Sequence, residues 1–305
     1  MATQLVIGAG RIGSMLAKKL SARGDSVIVV TRSGTKVDGA TARRADAGSA
    51  ADLTRAADKA ATIFLCTNPS YPRWAQDWPP VFSATIAAAE HSGARLVVMG
   101  NLYAYGVPDG AMRESDPLNG DEAKGIVRRN GWRQVMAAHD AGKIQAVEVR
   151  ASDYFGAGAG VDAHLGVNFM EKLRASKTAY VVGDPDLPHS WTYLPDIVET
   201  LIAAADFEGE WGRAWHAPNA EPLTRTEIAR RVNAAAGSHG KIVRMPQWML
   251  RAAGAVAPRM REIYASSYQF THPFVVDSTE TENLLGVRAT PWDEALAATL
   301  GLAAV

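Results

Sequence analysis

The run Gly8-Ala9-Gly10-Arg11-Ile12-Gly13 is a G-x-G-x-x-G placed directly after the apolar residues Leu5-Val6-Ile7. A strand that turns into a helix through this pattern suits a dinucleotide. Gly8 permits the tight turn, Gly10 lets the backbone approach a pyrophosphate, and Gly13 lets the helix pack against the strand. The helix opening at Arg11 and Ile12 then offers free N–H groups and a partial positive charge to the phosphates. The second apolar run ends in Thr31-Arg32-Ser33. An NAD site places a carboxylate near this point to hold the ribose 2′-hydroxyl. An arginine with two hydroxyls matches a 2′-phosphate better, so NADP(H) is expected ahead of NAD(H), which stays open. Asp46 follows a third strand position, where an adenine contact or a helix N-cap would fall. Cys66, Thr67 and Asn68 follow the fourth and are expected to line the cofactor site, with Cys66 a packed thiol rather than a nucleophile.

Positioning these residues requires strands that end on one edge. Strand-like runs at 5–7, 27–30, 62–66, 95–99 and 145–149 alternate with helix-like segments at 14–22, 49–57, 80–91 and 126–141. Near-continuous apolar strands separated by helices imply an α/β fold, a doubly wound parallel Rossmann sheet covered on both faces. Beyond the flexible stretch Gly156 to Gly160 the pattern loosens. It suggests strands at 179–182 and 273–276 and helices at 196–206, 224–236, 245–257 and 293–300. Residues 1–156 are read as the dinucleotide-binding domain, joined by segments near 190–216 and 273–278, and 157–305 mainly as a smaller C-terminal substrate lobe.

Composition narrows the function classes. Lys plus Arg and Asp plus Glu number 32 each, for a net charge of zero, which argues against a nucleic-acid or membrane-surface partner. A hydrophobic content of 47% is enough for a real core. The single cysteine, Cys66, allows no internal disulfide, and no signal peptide or membrane-length apolar run is seen, so a cytoplasmic setting is expected. The 7 histidines are scattered without a ligand-spaced pair, so no metal site is expected. Tyr71, Trp74 and Trp78 form an aromatic cluster that fits either a planar, apolar substrate or plain packing.

Three further segments go together: Gly100-Asn101-Leu102-Tyr103-Ala104-Tyr105-Gly106, Arg150-Ala151-Ser152-Asp153-Tyr154-Phe155-Gly156 and Thr192-Tyr193-Leu194-Pro195-Asp196-Ile197. With the glycine motif they resemble, in order and interval, the extended or atypical branch of the short-chain dehydrogenase/reductase superfamily, the NAD-dependent epimerase/dehydratase type. They look like its Tyr-Gly segment, its Arg-Pro-x-Asn-x-Tyr-Gly segment and its His-Val-x-Asp element. The resemblance covers nearly the whole chain. It implies a cofactor-binding enzyme with a small-molecule substrate and a homodimer formed through helices flanking the sheet. It also implies that Ser152 lies among the cofactor contacts.

This sequence departs from the family pattern where the chemistry is done. The glycine turn is one residue shorter than the usual G-x-x-G-x-x-G. The family's Ser/Thr corresponds to Asn101, and its Tyr-x-x-x-Lys pair corresponds to Lys124 and Arg128. The resemblance therefore assigns Asn101 to the substrate oxygen, Lys124 to proton donation and to the cofactor, and Arg128 to the nicotinamide ribose. A solvated helix face would equally explain Lys124 and Arg128. Tyr103, Tyr105 and Tyr154 compete as donors, with Tyr103 retained as a candidate. The resulting reading is an NADP(H)-dependent oxidoreductase at a C=O/CH–OH centre of a small molecule. Its rivals are a nucleotide-sugar epimerase or dehydratase that retains its cofactor, and a non-catalytic NADP-binding regulatory protein.

Overall fold

The computed structural model describes residues 2–256 and 258–302. Along the chain the strands are β1 (Thr3–Ile7), β2 (Ser26–Thr31), β3 (Thr41–Arg44), β4 (Thr62–Leu65), β5 (Arg95–Asn101), β6 (Ala146–Ala151), β7 (Tyr154–Phe155), β8 (Thr178–Val181), β9 (Thr192–Tyr193), β10 (Arg213–His216) and β11 (Lys241–Arg244). The helices are α1 (Arg11–Ala22), α2 (Ala50–Ala57), α3 (Trp74–Ser92), α4 (Ala123–Asp140), α5 (Val167–Arg174), α6 (Leu194–Asp206), α7 (Arg225–Ala236), α8 (Gln247–Val256), α9 (Pro258–Ala265), α10 (Thr279–Leu285) and α11 (Trp292–Leu300).

The central sheet has seven strands in the order β10-β6-β5-β4-β1-β2-β3, and every pairing is parallel. Alternate side chains of a strand point to opposite faces, so an apolar strand feeds two cores. Leu5, Ile7, Ile63, Leu65, Leu96 and Val98 pack on one side with α2, α3 and α4, where Trp74, Trp78 and Phe82 are buried. Val6, Val29, Phe64, Val97 and Val147 pack on the other, beneath Leu16 and Leu20 of α1 and Ile197, Val198 and Leu201 of α6. A third core lies in the late chain, where Leu165, Phe169, Trp191, Ile228, Val232 and Trp292 gather beside the small parallel sheet of β8 and β11.

Several expectations need correction. The helix placed at 80–91 begins earlier, at Trp74, with Pro79 and Pro80 inside it. Trp74 and Trp78 stand one turn apart, edge to face at 5.9 Å and both buried, and their packing outweighs the lost proline N–H bonds. The run 273–276 is not a strand. Phe274 bridges to His189 and Val276 to Met112, each as an isolated pair, because two different loops flank the segment and neither continues as a ladder. The helix expected at 245–257 is α8, and its last residue, Ala257, lies outside the described residues. The seventh strand, β10, was not expected from its short sequence. Among the described residues no helix is long and apolar enough to cross a membrane.

Candidate active site

Because all seven strands run the same way, their carboxyl ends share one edge, and the sequence motifs meet there. Gly8, just past β1, has φ of 104°, in the region that favours glycine, and a Cβ on it would stand 2.7 Å from Thr67 Cα. A Cβ on Gly13 would run into the Gly8 carbonyl oxygen, so this glycine lets α1 close on the turn. Gly10 is the N-cap of α1, with no side-chain cap and no acidic residue in the first turn. No protein atom lies within 4 Å of where its Cβ would be. The first N–H groups of α1 are therefore left to water or an anion, the arrangement a pyrophosphate needs. Arg11 does not cap this space. Its Nε donates to the Gly158 carbonyl at 2.9 Å and ties the glycine turn to the 156–160 loop.

At the end of β2, the register sets Thr31 beside Arg44 of β3. Thr31 Oγ1 accepts from the Thr35 N–H at 2.8 Å, and the Ser33 and Thr35 hydroxyls are 2.8 Å apart. The exposed Arg32 guanidinium makes no hydrogen bond or ion pair to the protein among the described residues. Arg44 Nε reaches the Arg32 carbonyl at 3.4 Å. Arg44 was missed in the sequence, where Arg43-Arg44 shows only as a basic pair; the strand register gives it its place. Asp46 stays exposed, and its Oδ1 accepts from the Gly48 N–H at 3.0 Å. Ser49, not Asp46, caps α2, accepting from the Asp52 N–H at 3.2 Å. Burial pushes the Cys66 thiol up to about 12, so it is no thiolate near neutrality. Thr67 packs under Gly8, and Asn68 is exposed. Ser152 Oγ is buried without a hydrogen-bond partner, an orphaned group on the cofactor edge. The uncapped helix, the open face of Gly10 and this hydroxyl fit a dinucleotide.

The second group lies past β4, β5 and β6. Asn101 ends β5, and its Oδ1 accepts from the Tyr103 N–H at 3.2 Å. The Tyr103 and Tyr71 hydroxyls are 3.4 Å apart. Lys124 and Arg128 are both buried, which removes the solvated-face reading, but they diverge. Lys124 Nζ lies 4.9 Å from the Tyr71 ring centre and 5.4 Å from that of Tyr103. It donates to the Glu262 carbonyl at 2.8 Å, with that residue's carboxylate at 3.6 Å. Burial pulls its ammonium below the ordinary lysine range, against the carboxylates of Glu122, Glu262 and Asp153. Arg128 turns to the sheet instead. It donates to the Met99 carbonyl at 2.6 Å, lies 3.8 Å from Glu148 and stacks over Trp78.

Tyr105 is occupied elsewhere. Its hydroxyl accepts from Arg150 at 2.6 Å and lies 2.7 Å from His216 Nε2. His216 Nδ1 lies 2.9 Å from the Asp277 carbonyl, an acceptor, so Nδ1 carries the proton and Nε2 takes the one from Tyr105. Trp74, Trp78 and Trp191 are core residues, while Tyr71 joins Tyr103 beside Lys124. A lobe-side set carries no local sequence signal. Asp153 Oδ2 lies 3.1 Å from His189 Nε2, and Asp153 Oδ1 lies 4.0 Å from His164 Nε2. Asp153 was visible in its motif, but nothing in sequence spacing links it to histidines 11 and 36 residues later.

The model of the NAD dependent epimerase/dehydratase family matches residues 4–216, ending with β10. The chain belongs to this family. It is an enzyme of the extended short-chain dehydrogenase/reductase type. It is 29% identical over 221 residues to a dTDP-6-deoxy-L-talose 4-dehydrogenase (NAD(P)(+)) of Kitasatospora kifunensis, covering 65% of this chain and 68% of the relative. Among solved structures, MoeE5 in complex with UDP-glucose and NAD superposes with a TM-score of 0.79 at 20% identity, covering 98% of both chains. The UDP-glucose 4-epimerase of Thermotoga maritima, with UDP-glucose, gives 0.80 at 18% identity over 98% of this chain and 97% of the other. These likenesses establish the shared fold.

Proposed function

We propose that the chain is an NAD(P)-dependent oxidoreductase acting at a CH–OH/C=O centre of a nucleotide-linked sugar, with NADP(H) preferred. The observation that carries the reading is the uncapped N-terminus of α1 under the open face of Gly10, set on the same sheet edge as Lys124, Tyr103 and Asn101. The curated relative's name supplies the sugar class and the use of either nicotinamide cofactor. When bound, NAD(P) supplies the hydride acceptor or donor. Gly8, Gly10 and Gly13 shape the cradle, the first N–H groups of α1 hold the phosphates, and Ser152 Oγ supplies a further polar contact. Arg32, unpaired and backed by Arg44, supports the 2′-phosphate.

At the reacting carbon, Asn101 and the Tyr71–Tyr103 hydroxyls orient the oxygen. Lys124 Nζ gives that oxygen its proton in reduction and takes it back in oxidation. The surrounding aromatic rings and α9 keep water off Nζ. The test is to incubate the protein with dTDP-6-deoxy-L-talose or UDP-glucose and NADP or NAD, following nicotinamide absorbance. Net reduction of the cofactor, faster with NADP, is expected. The similarity to epimerase and dehydratase structures gives a second reading, cofactor retained through a closed cycle. A changed sugar with no net nicotinamide signal would identify it. Tight NADP binding with neither outcome, across both sugars, would refute the oxidoreductase reading.

A further inference from the structure

The Lys124 ammonium sits where the early chain meets the late one, and its direct polar contacts come from the late one. Nζ donates to the Glu262 main-chain carbonyl of α9 at 2.8 Å, and the Glu262 carboxylate lies 3.6 Å away. Among the described residues no other carboxylate comes within ion-pair range of Nζ. The same carbonyl accepts from the Ser266 N–H at 3.2 Å and the Ser266 hydroxyl at 3.0 Å, so it belongs to the closing turn of α9. The last carbonyls of a helix carry partial negative charge, which favours a cation placed there. The 3-10 turn Tyr71–Arg73, against which α9 packs, brings up the Tyr71 ring at 4.9 Å, and Tyr103 adds a second ring at 5.4 Å.

The other titratable groups around the amine are committed elsewhere or neutral. Glu122 is the N-cap of α4, and its two oxygens accept from the Lys124 and Gly125 N–H groups at 3.0 and 2.8 Å. Asp153 lies 3.1 Å from His189, with His164 4.0 Å from its second oxygen. Burial holds His164 toward its neutral form and pushes the Tyr71 and Tyr103 phenols up. Burial likewise disfavours the ammonium, and the charges of Glu122, Glu262 and Asp153 oppose it; of the three residues, Glu262 is the one bonded to Nζ.

We propose that Glu262 is the positioning residue of Lys124: its main-chain carbonyl fixes Nζ over the two phenols, and its carboxylate keeps the proton on the amine. This rests on the donor role given to Lys124 above and puts control of that proton in the late chain. At 3.6 Å the carboxylate favours the charged amine without taking its proton in a direct hydrogen bond. It is 22% open to water while the lysine side chain is 3% open, so it acts as a partial counter-charge and leaves the proton available to a substrate oxygen.

The test is a pH titration of the full chain, isotopically labelled at lysine Cε and followed by NMR. The Lys124 resonance is the one missing from Lys124→Met. No substrate is needed, so the result stands apart from the sugar and from the donor role. Glu262→Gln keeps the main-chain carbonyl and removes only the charge. Its Lys124 resonance is expected to titrate about 0.5–1 pH unit lower than in wild type. Glu262→Asp keeps the charge and should lie nearer to wild type than Glu262→Gln does. In turnover, the alkaline limb of reduction should move down with the resonance, while KM for NADPH stays within about twofold. An unmoved Lys124 resonance in Glu262→Gln, or equal shifts in the Gln and Asp variants, would overturn the assignment of Glu262. A shifted resonance with an unmoved limb would uphold Glu262 as the partner of the amine and overturn the donor role of Lys124 instead. Should Glu262→Gln lose its thermal transition, Glu262→Ala decides by the same shift.

Discussion

At the level of single residues, the site separates side chains that are free to meet a ligand from those already satisfied by the protein. Arg32 is free. Replacing it with Ala should weaken NADPH binding by about ten- to a hundredfold, because a charge-assisted phosphate contact is lost, while NADH binding barely moves. Fluorescence titration with both cofactors checks this, and equal losses would place the 2′-phosphate elsewhere. Lys124 is buried but poised over two phenols. Its ammonium, destabilised by burial, gives up its proton below the ordinary lysine value, so reduction should fade as pH rises through that lowered range. Lys124→Met should slow the chemical step by about 10²–10⁴-fold and abolish this alkaline limb, with cofactor binding nearly intact. A single-turnover rate close to wild type in the Met variant would assign the proton to Tyr71 or Tyr103. Arg128 is satisfied: its bond to the Met99 carbonyl and its place beside Glu148 make it a brace between α4 and the sheet.

Among the elements, a buried polar coupling joins the 3-10 turn at Tyr103–Tyr105, β6 and β10. The Tyr105 hydroxyl bonds both Arg150 and His216, inside the protein. Tyr105→Phe leaves both groups buried and short of a partner, and should cost about 1–3 kcal/mol in a denaturant melt with little change in cofactor affinity. Burial keeps the His216 pKa below its ordinary value. The unfolded chain then binds a proton that the folded one refuses, so stability should fall as pH drops below about 6.5. Elements of this kind mark the limit of what the sequence tells. The β1-to-α1 turn is legible because glycine spacing and apolar runs are local signals. So are β2, β4, β5 and β6, each with both faces buried. β10 was not legible: Arg213-Ala214-Trp215-His216 is too short to carry a period, and only pairing with β6 makes it a strand. The same holds for the site. Gly8, Gly10 and Gly13 announce themselves, whereas Asp153, His164 and His189 come together only in the folded chain, where both imidazoles pack on Phe270.

For the molecule as a whole, the question is whether the first 156 residues form a domain in their own right. The packing argues against it. Ile197, Val198 and Leu201 of α6 lie in one core with Val6, Val29, Val97 and Val147, and β10 closes the sheet beside β6. A chain ended at residue 156 would expose that face of the sheet and the free edge of β6, an invitation to aggregate. It would also lose the Gly158 carbonyl that anchors Arg11 beside the glycine turn. We expect residues 1–156 alone to show no cooperative thermal transition and no NADPH binding. Residues 1–216, which restore α6 and β10, should recover helical and sheet signal in circular dichroism. They should still melt below the full chain, because Thr281 Oγ1, which accepts from the His216 N–H at 2.9 Å, and the carbonyl of Asp277 are missing. A folded, cofactor-binding 1–156 fragment would show that the glycine turn and the six sheet strands β1 to β6 suffice, and that the late chain serves the substrate alone.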